Sequence, residues 1–434
     1  MYKKYETYSN YNLTYNKEII KYEPKNIKEL IHIKSKKDFF FLKTGSCSYG
    51  DKSISNESKN LISLKKFNKI IKIHKKKRIV EAESGISLYD LSKYLYQQGY
   101  FLYNVPGGLT VSLGGAIAGN VHGRFSKKNF SNFGDNIKSI KVLDHKNKVI
   151  KINRGQKKFN YHIGSFGIEG LILSAELLIA KIDSYNFERI EKLVKNNSDF
   201  NDIFNKNENI YGYLNHFKKN SIEGIFFMIN KKKKLSKSKF GQFQKYNWPQ
   251  YLSILSLLVN NLSLKIFYNL IFFVKKFFPN SIKVLSFEKA IYHSSIINLL
   301  PYFFQKGMLE IQVSIDKKKF MFFYKNIKQN FIKNEIYPIF CILKKMHVSK
   351  KKYFSSFPKN NLSISLGFRK KDYLNKGEIF KKFFLFLKKN NFDVYITKNE
   401  IFNRIILENK FLRKIKENKK KSKTKISSIF FETT

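Results

Sequence analysis

Apolar and polar positions change their period several times over the first 182 residues, and each change marks an element. The run FFFLKTGSCSYGD (39–51) starts apolar and passes into Gly, Ser and Thr, which predicts a buried strand entering a loop. KRIVEAESG (77–85) predicts a second short strand. In SLYDLSKYLYQQG (87–99) Leu88, Leu91 and Leu95 recur at helical spacing, Ser87 with Asp90 resembles a capping box, and Gly99 suits the stop. IKSIKVLDHKNKVIKI (137–152) alternates apolar and polar residues around Asp144–Asn147, the pattern of a hairpin. EGLILSAELLIAKI (169–182) ends the region with a buried strand.

Between 183 and 392 strand patterns (GIFFMI, MLEIQVSI, YPIFCILKK, LSISLGF) mix with aromatic-rich helical ones such as KKFFLFLKKN. This mixture predicts an α+β domain on an antiparallel sheet. Lysine runs at Lys231–Lys234, Lys317–Lys319 and Lys350–Lys352 read as solvated loops, and the tail from Lys410 as a charged helix. The run Leu252–Val274 is long enough to span a membrane, but Asn260, Asn261, Lys265 and Asn269 interrupt it. A buried helix pair or a segment resting on a membrane surface is expected instead.

Composition narrows the classes. The chain has 434 residues, 43% hydrophobic and 16% aromatic, which excludes a disordered chain and allows two domains with real cores. Two cysteines, Cys47 and Cys341, make no disulfide framework and fit a reducing compartment. The start MYKKYETYSNYNLTY lacks the apolar core of a signal peptide, so a cytoplasmic location is expected, with peripheral attachment to the inner membrane as its variant. The net charge of +51 invites a nucleic-acid reading. Only seven of the 83 basic residues are Arg, however, and the Arg fork is what phosphate and base readers use. Lysines spread among Asn, Ile, Tyr and Phe look like compositional drift, so no nucleic-acid partner is expected. A positive surface still suits anionic lipid or a phosphorylated substrate.

Two stretches carry candidate chemistry. KTGSCSYGD (43–51) fits an anion nest of inward amides, and equally an ordinary tight turn. VPGGLTVSLGGAIAGNVHGRF (105–125) strips bulk away at Gly114, Gly115, Ala116, Ala118 and Gly119, which allows something flat or phosphorylated to approach the backbone. It is neither a P-loop nor the Rossmann fingerprint, since Gly-Lys-Ser/Thr and the G-x-G-x-x-G spacing are both missing. Two such loops with a strand and a helix between them suit a dinucleotide.

These segments, with FGDNIKSIKVLD and GSFGIEGLILSAEL after them, resemble in order the FAD-linked oxidases of the vanillyl-alcohol oxidase type. Among those they are most like the oxidase subunits of decaprenylphosphoryl-β-D-ribose 2′-epimerases. The likeness covers about 40–182 and returns at DVYITKNE (393–400). It implies an α+β fold: a two-lobed FAD-binding domain at 1–182, a substrate or cap domain on an antiparallel sheet at 183–392, and a return to the first domain at 393–434.

The resemblance also implies site residues. The first loop, with Lys43, Thr44, Gly45, Ser46, Cys47, Ser48, Tyr49, Gly50 and Asp51, would wrap the FAD pyrophosphate. Gly107, Ser112, Leu113, Gly114, Gly115, Gly119, Asn120, Val121 and His122 would line the flavin and its ribityl chain. Ile172 and Tyr395 would touch the cofactor from the last strand and the C-terminal return. Lys398 matches the active-site lysine, with His122 as a second catalytic or hydrogen-bonding candidate. Gln312, Lys344 and Ser365 would fall in the substrate pocket, and no metal site is implied. Cys47 stands where relatives with covalent flavin carry histidine, so a histidyl–flavin bond is not expected there. Tyr395 and Lys398 are three apart, so the chain must turn near Thr397 if both are to reach the flavin. The implied reaction oxidises a ring hydroxyl of a polyprenyl-phosphate-linked sugar, and a short-chain reductase partner would complete an epimerisation. A soluble sugar or aldonolactone oxidase of the same fold, and a non-catalytic basic protein binding membrane or nucleic acid, are the other readings.

Overall fold

The computed structural model describes residues 2–9, 16–37, 39–45, 55–124, 126–217, 222–232, 258–292, 307–398 and Glu417. The chain divides into two compact units, Met1–Ile182 with Ser349–Phe357 and Ile396–Thr434, and Asp183–Val348 with Pro358–Tyr395.

Among the described residues the first unit holds two larger sheets and a short antiparallel pair, Tyr100–Phe101 with Ala180–Lys181. Strands Tyr2–Ser9, Asn16–Glu23, Asn60–Ile62 and Phe41–Leu42 lie side by side in that order, the first pair antiparallel and the others parallel. The second sheet is antiparallel, in the order Ile70–His74, Ile79–Glu83, Leu171–Leu178, Ile137–Leu143, Val149–Asn153. A core of Tyr22, Leu30, Ile33, Phe40, Ile62, Leu143, Leu171 and Leu173 joins residues of both.

Local signals set these elements. The Leu88–Gln97 helix starts where the Ser87 hydroxyl accepts from Asp90 N at 3.0 Å, a cap that contributes about 1 kcal/mol. Its end is Gly99 at φ +81°, a backbone that suits only glycine at low cost. In the 137–153 hairpin, Asn147 takes φ +61° and its amide donates to Asp144 O at 3.2 Å. The buried Lys34 ammonium caps this turn, donating to Asp144 O at 2.7 Å and Asn147 Oδ1 at 2.8 Å.

Ser349–Phe357 interrupts the expected 183–392 domain and belongs to the first unit. The reason is a buried polar hub. The Tyr353 hydroxyl donates to Asp135 Oδ1 at 2.9 Å, while Asp135 Oδ2 accepts from the amides of Ser131 and Asn132 at 2.8 and 2.9 Å. Burial and the Asp135 carboxylate both push the Tyr353 hydroxyl up from its usual range. Phe354 N donates to Asn160 O at 2.8 Å. The expected solvated run Lys350–Lys352 is thus only partly so, because half-buried Lys351 pairs with Asp135 at 3.4 Å.

The second unit is built on one eight-stranded antiparallel sheet in the order Asn280–Ser286, Asn186–Val194, Gly224–Lys232, Ile210–Leu214, Phe340–Lys345, Leu362–Arg369, Met308–Ile315, Asp393–Val394. Lys231 and Lys232 end a strand here, where a loop was expected. The helices Phe320–Asn330 and Gly377–Lys389 turn a phenylalanine stripe inward, with Phe323 and Phe383 ring centroids 6.0 Å apart. Alternation gives the sheet two characters: Ile311, Val313, Ile364 and Leu366 on one face, Gln312, Ser314, Ser363 and Ser365 on the other. The run Leu252–Val274 contributes one helix, Asn261–Phe277, and residues 252–257 lie outside the described residues. The charged tail from Lys410 lies outside them as well, apart from Glu417. No helix among the described residues is long and apolar enough to cross a membrane.

Candidate functional site

A groove opens in the first unit, and the glycine-rich segment lines it. Ser112 caps the short Leu113–Ala118 helix, accepting from Gly115 N at 3.2 Å. The amides of this turn are already committed: Leu113 N to Ile86 O at 2.9 Å, Gly114 N to Ser84 O at 2.7 Å, Ala116 N to Ser112 O at 2.9 Å. The segment therefore offers a bare surface of Gly114, Gly115, Ala118 and Gly119 rather than a ring of amide donors. Among the described residues and apart from its own helix backbone and chain neighbours, a Cβ on exposed Gly115 would meet only Ser112 Oγ, at 3.1 Å.

The two glycine-bearing loops meet. A Cβ on Gly45 would lie 2.5 Å from Ser112 N and 2.7 Å from Thr110 O, so only glycine lets the backbones touch. Thr44 anchors its loop by accepting from Leu64 N at 3.2 Å. Lys43 stands in the groove wall, yet its ammonium donates to Ser9 O at 2.9 Å and sits 3.2 Å from the centre of the Tyr8 ring. The Lys43 charge is thereby engaged by the strand Tyr2–Ser9. Ser46, Cys47, Ser48, Tyr49, Gly50 and Asp51 lie outside the described residues.

Of the other expected cofactor residues, Ser112, Gly114, Gly115, Gly119, Val121 and Ile172 are groove walls. Gly107, Leu113, Asn120 and His122 are not among them. Leu113 is fully buried in the core. Asn120, at φ +39°, ties three segments together: its Nδ2 donates to Ser355 O at 2.7 Å and its Oδ1 accepts from Gly134 N at 3.0 Å. The buried His122 ring packs against Phe357, with centroids 5.3 Å apart.

Several walls escaped the sequence reading. Ser84 ends a strand with no signal of its own, while Phe166, Gly167 and Gly170 belong to the quoted GSFGIEG stretch. Gly170, at φ +135°, could carry no Cβ without meeting Leu143 O at 2.9 Å. Thr397 is a further wall, and its hydroxyl donates to Gly119 O at 3.1 Å. The chain turns over residues 396–398 and leaves Lys398 half-buried next to Thr397.

The expected substrate residues lie on one sheet face of the second unit. Gln312 pairs directly with Ser365, and Lys344 with Ser363. Gln312 Nε2 donates to Ser363 Oγ at 2.8 Å, while Gln312 Oε1 and Ser365 Oγ are buried without a hydrogen-bond partner among the described residues. Tyr395 belongs to this unit too, its amide donating to Gln312 O at 2.8 Å. No cluster of three or more His, Cys, Asp or Glu among the described residues could hold a metal ion.

Comparison with known proteins agrees with this geometry. Residues 24–153 match the family model described as FAD binding domain. The chain is 27% identical over 143 residues to decaprenylphosphoryl-beta-D-ribose oxidase of Mycolicibacterium smegmatis, covering 32% of this chain and 31% of that protein. It is 31% identical over 100 residues to L-gulonolactone oxidase of Scyliorhinus torazame, covering 23% and 22%. The matches thus span less than a third of these curated relatives. A variant of cholesterol oxidase from Brevibacterium sterolicum superposes with a TM-score of 0.71 over 96% of this chain and 91% of that one, at 11% identity. The fold is therefore that of this flavoenzyme group, an FAD-binding domain with an antiparallel-sheet domain, and the cofactor is FAD. The bare glycine floor fits the cofactor's flat ring.

Proposed function

We propose that the protein is an FAD-dependent oxidoreductase that oxidises a ring CH–OH group of a polyprenyl-phosphate-linked sugar, the ribosyl C2 by analogy, to a ketone. The observation that carries this reading is the glycine-floored groove, with Gly115 bare on its open side and Thr397 pinned to Gly119. When bound, FAD supplies a ring that accepts a hydride. The chain has to bind the substrate, orient it, and manage the hydroxyl proton.

The proton falls to Lys398. It is half-buried and follows Thr397, so its backbone is held beside the groove wall. Its Nζ is assigned to polarise the reacting hydroxyl and receive its proton. His122 is assigned a supporting role, because it packs on Phe357 and lines no part of the groove. Substrate binding is assigned to Gln312, Ser365 and Lys344. Gln312 Oε1 and Ser365 Oγ are a buried acceptor and donor with no partner among the described residues, which suits hydroxyls of a sugar. Lys344 supplies a point charge for a phosphate. The likeness to the ribose oxidase supports the sugar class, and that to L-gulonolactone oxidase supports a soluble sugar lactone as the other substrate. A short-chain reductase acting on the ketone would make the pair an epimerase.

The test is anaerobic mixing of the FAD-loaded protein with a panel of polyprenyl-phosphate pentoses, free pentoses and aldonolactones. Bleaching of the flavin by the lipid-linked pentose is expected. Bleaching by the lactones alone would transfer the assignment to the soluble class, and bleaching by none would overturn the oxidase reading.

A further inference from the structure

The second unit's Asn261–Phe277 helix is seated by a narrow inner stripe. Asn260 Oδ1 accepts from Ser263 N and Ser263 Oγ from Asn260 N, both at 3.0 Å, which closes its first turn. Leu264, Tyr268 and Phe272 face inward, the Tyr268 hydroxyl donates to Ile339 O at 3.0 Å, and Lys275 pairs with Glu191. The outer side is the reverse of an ordinary surface helix. Leu262, Ile266, Phe267, Leu270, Phe273 and Phe277 are each more than half exposed. At about 100° per residue, five of these (all but Phe267) fall within an arc of about 80°. Leu258, Phe278 and, on the edge strand Asn280–Ser286, Ile282 and Val284 extend the exposed apolar surface. Monomeric soluble proteins rarely leave so much contiguous apolar surface in water.

The charges around it select the occupant. Lys265 and Lys276 stand exposed at the border of the apolar arc, and Lys283 lies on the neighbouring strand. The sequence from 224 to 287 contains eleven lysines and no aspartate or glutamate. A second copy docking by two-fold symmetry would bring the Lys265, Lys276 and Lys283 ammoniums against their own copies and set like charges together. A phosphate-bearing surface complements it. The helix has 17 residues and runs about 26 Å, short of the ~30 Å hydrocarbon core, and its inner stripe is locked to the protein.

We propose that this face is a membrane-docking surface, which lies flat in the head-group region of an anionic bilayer with its apolar arc in the acyl boundary and its lysines on lipid phosphates. The proposal does not depend on the cofactor or substrate reading.

The test is co-sedimentation of the full chain with vesicles of phosphatidylcholine alone and of phosphatidylcholine with about one-third phosphatidylglycerol, at low and high salt. Binding to the anionic vesicles, weakened by salt, is expected. The double variant Leu270→Glu with Phe273→Glu, at exposed positions that leave the fold's melting temperature intact, is expected to lose about tenfold or more of that binding. Lys265→Glu with Lys276→Glu is expected to lose the preference for anionic vesicles. Wild-type protein that stays in solution with the anionic vesicles would overturn the proposal. So would an apolar double variant that sediments like wild type, which would assign the binding to the overall positive charge. A dimer that Leu270→Glu with Phe273→Glu dissociates, with vesicle binding unchanged, would give the face to a second copy instead.

Discussion

The Thr397 hydroxyl donates to the carbonyl of Gly119 at 3.1 Å, and its methyl lies 3.3 Å from where a Cβ on Gly119 would stand. A residue near the end of the described chain is thereby fastened to the glycine floor of the groove, and the next residue is Lys398.

Thr397→Val keeps the shape and removes the hydrogen bond, a loss of about 1 kcal/mol. FAD affinity is expected to fall about fivefold, the equivalent of that energy, with little change in melting temperature. Fluorescence titration of the apoprotein with FAD measures it. Unchanged affinity would separate Thr397 from the site.

Lys398→Ala is expected to slow flavin reduction by substrate about a hundredfold or more, the usual range for loss of a general base, while FAD stays bound. Stopped-flow anaerobic reduction reads the rate, and absorbance reads the occupancy. A wild-type rate would show that another group manages the proton.

Ser365→Ala removes a buried hydroxyl that has no partner among the described residues, so folding stability is expected to hold or rise slightly. The KM for the sugar is expected to rise by about tenfold if that hydroxyl meets the substrate. Denaturation midpoints and KM together check it, since a purely structural hydroxyl would move stability and leave KM alone.

His216 is fully buried, between Phe217 and Tyr268 at centroid distances of 4.3 and 4.5 Å. Burial first, and the Lys328 charge after it, lower its pKa from 6.5 to about 3, against a backbone hydrogen bond that raises it. The unfolded chain therefore binds a proton between these values that the folded chain refuses. Stability is full above pH 6.5 and is lost progressively as pH falls toward about 3. Between neutral pH and pH 5 this site alone is expected to cost about 2 kcal/mol, which His216→Gln would remove from the pH dependence. Urea unfolding at the two pH values decides it, and identical slopes for both proteins would contradict the assignment.

Much of the first unit was legible because its signals are local. Ser87 with Asp90, Gly99 and the Asp144–Asn147 turn each act on their own few residues, and the structure uses them as capping and turn groups. The glycine floor was legible for the same reason, since missing side chains can be read directly. The return of Ser349–Phe357 was not. Its cause is the Tyr353–Asp135 bond, whose partners are 218 residues apart and carry no periodic pattern. The direction of the Lys43 ammonium was hidden likewise, because it depends on Tyr8 in a neighbouring strand. For Leu252–Val274, composition counts apolar residues without saying which way they face. The inward side holds Leu264, Tyr268 and Phe272, and equally apolar residues face out.

The central claim is that the bare face at Gly115 receives the flavin ring. Val at this exposed position presses only on the Ser112 hydroxyl, 3.1 Å from the added Cβ, and puts a side chain into the groove. Titration of wild-type and Gly115→Val protein with FAD, followed by absorbance and melting temperature, tests it most directly. The expected result is one flavin per wild-type chain, and a variant that melts at the wild-type temperature without flavin yet binds FAD at least tenfold more weakly. A wild-type protein that takes up no FAD, or a variant with full occupancy and affinity, would contradict it.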